Sequence, residues 1–255
     1  MAKSQSSVRP SGRLRGASGV AAVEIKVTIK PEEELEALRT LELDEETAEV
    51  RVVYFYDTPT LDLFAGGVAL RSRLVKGDTD DSTVKVRPID PDKVSEDWRK
   101  TPGFKVEADA TGPKIVRSGS LTVIQKSSDI EEVAGGERPI YKIFDRDQIR
   151  FLAEFYNKSI DFEELKVLGP IRVLRWEAKH EKFHHAVTVE EWRLPDGTDL
   201  VEVSIRVQPE EYVEAKKQFE AHLSKIGLDP KGAQQTKTLR ALQYFTEQLR
   251  KQKKK

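Results

Sequence analysis

The chain of 255 residues contains no cysteine. That excludes a disulfide framework, a thiolate zinc site and a cysteine nucleophile, and it suits a cytoplasmic protein. No stretch approaches the roughly 18 consecutive apolar residues of a membrane span, and the first residues carry no apolar secretory segment, so a soluble protein is expected. There is no P-loop, no Gly-x-Gly-x-x-Gly and no Gly-x-Ser-x-Gly, which removes the common signatures of nucleotide binding and serine hydrolysis. No internal repeat occurs at the periods of solenoids or propellers.

An excess of charge of either sign is also missing: 43 Lys and Arg stand against 44 Asp and Glu, for a formal net charge of −1. The distribution is uneven. Residues 1–20 hold Lys3, Arg9, Arg13 and Arg15 with no acid, and residues 247–255 hold Arg250, Lys251, Lys253, Lys254 and Lys255 against Glu247. The body between them is therefore acidic, near −9. The spacing predicts a Ser/Gly/Arg-rich leader over 1–20, one domain over 21–246 and a basic tail over 247–255. Such tails are expected to be solvated and disordered, with attraction to nucleic acid or polyphosphate, through the tails alone, as the alternative.

Within the body, period-two alternation marks strands. Val23, Ile25, Val27 and Ile29 alternate with Glu24, Lys26 and Thr28, and Pro31 then opens an acidic helix to about Arg39. AEVRVVYFYDT, VALRSRLV, STVKVRP and FKVEAD follow as strands, with Pro88 to Gly103 as a polar excursion that leaves Trp98 partly exposed. A strand is expected near 113–125 and a helix over 145–157. IRVLRWEAKHEKFH, AVTVEEWRL and DLVEVSIRV form three more strands, the last two joined by the turn Pro195-Asp196-Gly197. Helices over 209–227 and 233–250 close the chain.

The polar faces of these strands are heavy in charge: Glu24 and Lys26; Arg71 and Arg73; Lys85 and Arg87; Lys105, Glu107 and Asp109; Arg175, Glu177 and Lys179; Glu202 and Arg206. Residues at i and i+2 share a face, so neighbouring strands align ladders of charge. A solvated face with cross-strand ion pairs is one reading, each pair contributing about 0–1 kcal/mol. It leaves Arg71 and Arg73 facing Lys85 and Arg87, an unfavourable pairing unless acids or a bound anion compensate. A polyanion is the other reading, because the forked guanidinium and the compact ammonium both suit phosphate oxygens. Carboxylates on the same face are then candidates for Mg²⁺ or Mn²⁺. His180 and His184 share a strand face, but no metal motif surrounds them.

Val23-Glu24-Ile25-Lys26, Tyr56-Asp57-Thr58-Pro59, Leu70-Arg71-Ser72-Arg73, Val84-Lys85 and Val201-Glu202-Val203, in this order, resemble the CYTH superfamily of triphosphate tunnel metalloenzymes. That family includes inorganic and thiamine triphosphatases and class IV adenylate cyclases. The resemblance covers about residues 21–245 and implies an α+β fold: an eight-stranded antiparallel β-barrel, the triphosphate tunnel, flanked by helices. It implies a phosphate grip of Lys26, Arg71, Arg73, Lys85, Arg87, Lys105, Arg175 and Lys179, with Lys182 competing for the last position. Lys26 also takes a catalytic role in orienting the attacking water. Glu24, Glu107, Glu190 (or Glu191) and Glu202 become ligands for Mg²⁺ or Mn²⁺, while Lys105-x-Glu107-x-Asp109 matches the middle-strand pattern. Thr236-Lys237-Thr238-Leu239 resembles a closing segment that caps the tunnel.

Two acids of the family pattern are replaced here, by Ala22 and Ser204. The implied activity is metal-dependent hydrolysis of inorganic triphosphate or a small organic or nucleoside triphosphate. The alternatives are a cyclase of the class IV type and a triphosphate-binding protein with weak or lost catalysis. A homodimer is compatible with the resemblance.

Overall fold

The computed structural model describes residues 19–156, 158–178, 183–233 and 235–252, without the side chain of residue 178. The expectations for residues 1–18, for Lys179, His180 and Lys182, and for the chain from 253 onward lie outside the described residues.

Nine strands close a barrel: β1 (Ala22–Thr28), β2 (Glu49–Asp57), β3 (Val68–Val75), β4 (Asp81–Val86), β5 (Phe104–Thr111), β6 (Lys114–Ile124), β7 (Lys166–Ala178), β8 (Val187–Arg193) and β9 (Asp199–Val207). Their order around the barrel is β1-β5-β6-β4-β3-β2-β7-β8-β9. Nine strands replace the expected eight. The barrel is also not wholly antiparallel, since β1 pairs with β5 in parallel, Glu24 opposite Asp109, while all other neighbours are antiparallel. Closure removes exposed sheet edges.

Helices α1 (Glu34–Thr40), α2 (Asp62–Ala65), α3 (Glu96–Lys100), α4 (Ser127–Gly135), α5 (Arg146–Phe155), α6 (Tyr212–Lys225) and α7 (Lys237–Gln252) complete the described chain. Helix α7 continues through Arg250 and Lys251, into the stretch expected to be a tail. The main core packs the apolar faces of the strands against Ile130 and Val133 of α4, Phe151 and Leu152 of α5, and Phe219 and Leu223 of α6. Trp98 joins this core at 3 % exposure and donates its indole N–H to Glu154, 2.8 Å away. The excursion thus buries it, contrary to the expected partial exposure, because α3 turns the ring onto Phe104 and Phe151.

Gln148 ties α5 to the barrel. It is fully buried, its Nε2 donates to the carbonyls of Ser82 and Leu121 at 3.1 Å, and its Oε1 accepts from Ser82 Oγ and from the Asp145 N–H within a capping box. Replacing it with leucine strands several buried polar groups, and a destabilisation of about 2 kcal/mol is expected in urea unfolding.

Candidate functional site

A second core lies at one end of the barrel. Ala241, Leu242 and Phe245 of α7 pack on Val53, Phe55, Ile171, Val173, Trp192 and Leu200. Beyond this plug a cavity of about 350 Å³ runs through the interior, in the range of small-molecule sites. Its wall carries seven cations, Lys26, Arg71, Arg73, Lys85, Arg87, Lys105 and Lys237, against five acids, Glu24, Glu107, Asp109, Glu190 and Glu202.

Strand β3 turns two guanidiniums inward because the residue between them is fixed outward. Ser72 Oγ meets the buried Tyr56 hydroxyl at 2.6 Å. The preceding loop is held by Asp57, which accepts from the N–H groups of Thr58, Leu63 and Phe64 at 2.7–2.9 Å. Burial pushes the Asp57 carboxyl above its ordinary value, opposed by those three bonds. Tyr56-Asp57-Thr58 is therefore the scaffold under the arginine strand. Gly67 (φ +83°) lets the chain return against β4: its carbonyl accepts the Arg87 N–H at 2.8 Å, and a Cβ at this glycine would lie 1.8 Å from the Arg87 carbonyl oxygen.

The cations differ in how they are balanced. Arg73 reaches Asp81 Oδ2 through Nε (2.9 Å) and Nη2 (2.6 Å). Lys26 lies 2.9 Å from both Glu24 and Asp109, and Lys85 lies 2.7 Å from the other oxygen of Asp109. Burial pulls the Lys26 ammonium down, but Asp109, Glu24 and Glu202 outweigh it and hold the pKa well above the usual lysine value. At Lys85 burial prevails, helped by Lys26 and Arg87 against Asp109, and the pKa is lowered. Asp109 feels burial too, yet the two ammoniums keep it strongly ionised.

Arg71 is different. Among the described residues it makes no ion pair, and its buried Nε has no hydrogen-bond partner. Desolvation, then repulsion from Arg73, pushes its pKa down to about 10, against the smaller attraction of Asp81 and Glu190. A guanidinium left unpaired inside a cavity is costly in the empty protein and disposed toward an anion. Arg87 lies over the Phe64 ring at 5.1 Å, and Lys105 is exposed at the cavity wall.

Two solved structures share this geometry at the level of the fold. A candidate adenylate cyclase from Bacillus halodurans superposes with a TM-score of 0.58 at 14 % identity, over 87 % of this chain and 97 % of that one. A Hippeastrum protein described as a candidate adenylyl cyclase with a dominant triphosphatase activity superposes with a TM-score of 0.54 at 19 % identity, over 83 % and 91 %. No family model and no curated protein sequence matches the chain. The chain has the CYTH fold.

On this CYTH barrel, Lys26, Arg71, Arg73, Lys85, Arg87 and Lys105 all reach the one cavity. Arg175 does not line it, because its guanidinium is taken up by Glu49 and Glu177 at 3.6 Å each. Glu24, Glu107, Glu190 and Glu202 line the cavity. Glu191, the alternative to Glu190, points the other way and pairs with Arg193 at 2.9 Å. No group of three or more acids or histidines converges as a metal cage among the described residues. Glu24 instead pairs with Lys26, and Glu190 and Glu202 with Lys237, while Glu107 lies close to the exposed Arg206 but its buried Oε1 accepts no hydrogen bond from a described residue. A Mg²⁺ or Mn²⁺ site requires several oxygens converging on one point, and this arrangement does not supply it.

Lys237 was legible in the sequence only as part of the closing segment, and Arg51, 3.9 Å from Glu190, was not singled out. No helix among the described residues is long and apolar enough to cross a membrane.

Proposed function

We propose that the cavity binds the phosphate chain of a small triphosphate and hydrolyses its terminal anhydride. The single observation that carries this reading is Arg71, a half-buried guanidinium that makes no ion pair among the described residues and whose buried Nε has no hydrogen-bond partner, in a wall where cations outnumber acids. Phosphoryl transfer depends mainly on positioning and on neutralising charge at the phosphate oxygens. Arg71 and Lys85 suit that role most directly, since Arg71 has no carboxylate partner and Lys85 shares Asp109 with Lys26. Arg73, Arg87 and Lys105 extend the grip. Lys26, held protonated by Glu24 and Asp109, supplies a fixed N–H donor for the attacking water or a phosphate oxygen. The described carboxylates stand as ion-pair partners, so no step is assigned to Mg²⁺ or Mn²⁺.

The pairing of those acids also favours a second reading, capture of the triphosphate without turnover. Incubation of the full chain with tripolyphosphate, ATP and thiamine triphosphate, with and without Mg²⁺ or Mn²⁺, separates the two. Release of orthophosphate from at least one of them is expected. Saturable binding with no orthophosphate and no cyclic nucleotide would replace hydrolysis by the binding reading, and cyclic AMP from ATP would replace it by cyclisation.

A further inference from the structure

Glu190 and Glu202 stand directly opposite each other on β8 and β9. Two like charges at one cross-strand position repel unless something cationic lies between them. Lys237, the first residue of α7, does so: its ammonium contacts Glu190 Oε2 and lies 3.2 Å from Glu202 Oε1. It is 4 % exposed and sits 4.7 Å from the centre of the Trp192 ring. Trp192 in turn donates to the same Glu190 Oε2 at 3.3 Å, and Thr28 donates to Glu202 Oε2 at 3.4 Å, the oxygen that Lys237 leaves.

The helix that delivers this lysine is fixed in place. Ala241, Leu242 and Phe245 of α7 are buried in the barrel plug, and Arg240 pairs with the buried Glu34 of α1 at 2.9 Å. Thr236 Oγ1 accepts the Leu239 N–H at 3.3 Å and steadies the first turn. A divalent ion bound between Glu190 and Glu202 would have to expel a buried ammonium and unseat that turn.

We propose that Lys237 is the resident cation of the Glu190–Glu202 pair, so that the cavity takes up a triphosphate without a divalent ion bound to these two carboxylates. The triphosphate part rests on the function proposed above; the competition between Lys237 and a divalent ion does not. The substrate class follows: a metal-free phosphate chain, met by protein cations and not by a protein-held metal. Arg71, Lys85 and Lys237 then face one ligand from three elements, β3, β4 and α7.

The test compares the wild type with Lys237→Met, which keeps an apolar stem over Trp192 and removes the charge, and with Lys237→Arg, which keeps the charge. Mn²⁺ uptake, followed by electron paramagnetic resonance without phosphate, should be at least tenfold weaker in the wild type and in Lys237→Arg than in Lys237→Met. Calorimetric titration of the wild type with tripolyphosphate should show binding at least as tight in chelator as in Mn²⁺, which complexes the free phosphate chain. The same titration of Lys237→Met in chelator should be at least tenfold weaker, and Mn²⁺ should restore it. Equal Mn²⁺ uptake by the wild type and Lys237→Met would overturn the proposal, as would wild-type tripolyphosphate binding that chelator abolishes. If the methionine variant fails to fold, the wild-type titration in chelator still decides. A wild type that takes up neither tripolyphosphate nor Mn²⁺ would sink the proposed function while leaving the Lys237 assignment standing.

Discussion

Replacing Arg71 with methionine is expected to weaken tripolyphosphate binding about 100-fold, a loss of about 2.7 kcal/mol, while leaving the protein as stable as before or about 1 kcal/mol more stable. The two effects have one origin. In the empty cavity the guanidinium is desolvated, lies beside Arg73 and has an unpartnered Nε, so it contributes nothing favourable to folding. Bound to a phosphate oxygen it makes charge-assisted hydrogen bonds, each worth about 1.5–3 kcal/mol. Arg71→Lys retains the charge but not the fork, and about a tenfold loss is expected. Urea unfolding beside calorimetric titration measures both quantities. A variant that loses stability while binding as tightly as the wild type would mean that Arg71 is a packing residue.

Asp109→Asn is expected to act in the opposite sense. Asp109 lies between the ammoniums of Lys26 and Lys85, at 2.9 and 2.7 Å. Removing its charge leaves two cations sharing a neutral amide, and the expected cost is about 3 kcal/mol, at the low end for a broken buried pair because all three side chains keep some exposure. A drop of roughly 10 °C in Tm should accompany it. Tripolyphosphate should bind the variant more tightly than the wild type and recover most of the lost Tm, since the anion replaces the missing carboxylate. The folded carboxyl lies below its unfolded value, so its contribution is fully present above the ordinary carboxyl pKa and is lost as pH falls toward the folded one. The gap in stability between wild type and variant should therefore be constant at neutral pH and shrink below about pH 4. A variant as stable as the wild type at pH 7 would show that the Lys26–Asp109–Lys85 cluster has no role in holding the barrel.

Most of this site was legible because strands announce their faces. Arg71 and Arg73, Lys85 and Arg87, and Lys105, Glu107 and Asp109 recur at i and i+2, and the barrel turns each set to one interior. What periodicity does not carry is which charges meet. Arg175 obeys the same alternation, yet Glu49 across the β2–β7 ladder takes it up, and that pairing depends on register. Lys237 is a helical residue 47 positions beyond Glu190 and well beyond Glu202, the two carboxylates it joins, so its role follows from where α7 docks. The strand expected near 113–125 is β6, so alternation alone marks all nine strands, and the count of eight came only with the family resemblance. The parallel β1–β5 contact has no local signal.

The central claim is that the barrel interior is an anion site built around an unpaired arginine. Calorimetric titration of tripolyphosphate and of orthophosphate into wild type and Arg71→Met tests it most directly. The account predicts one tripolyphosphate per wild-type chain, bound far more tightly than orthophosphate, and a loss of about 100-fold in the variant. Indistinguishable titrations of the two proteins, or a wild type that binds orthophosphate as well as tripolyphosphate, would contradict it.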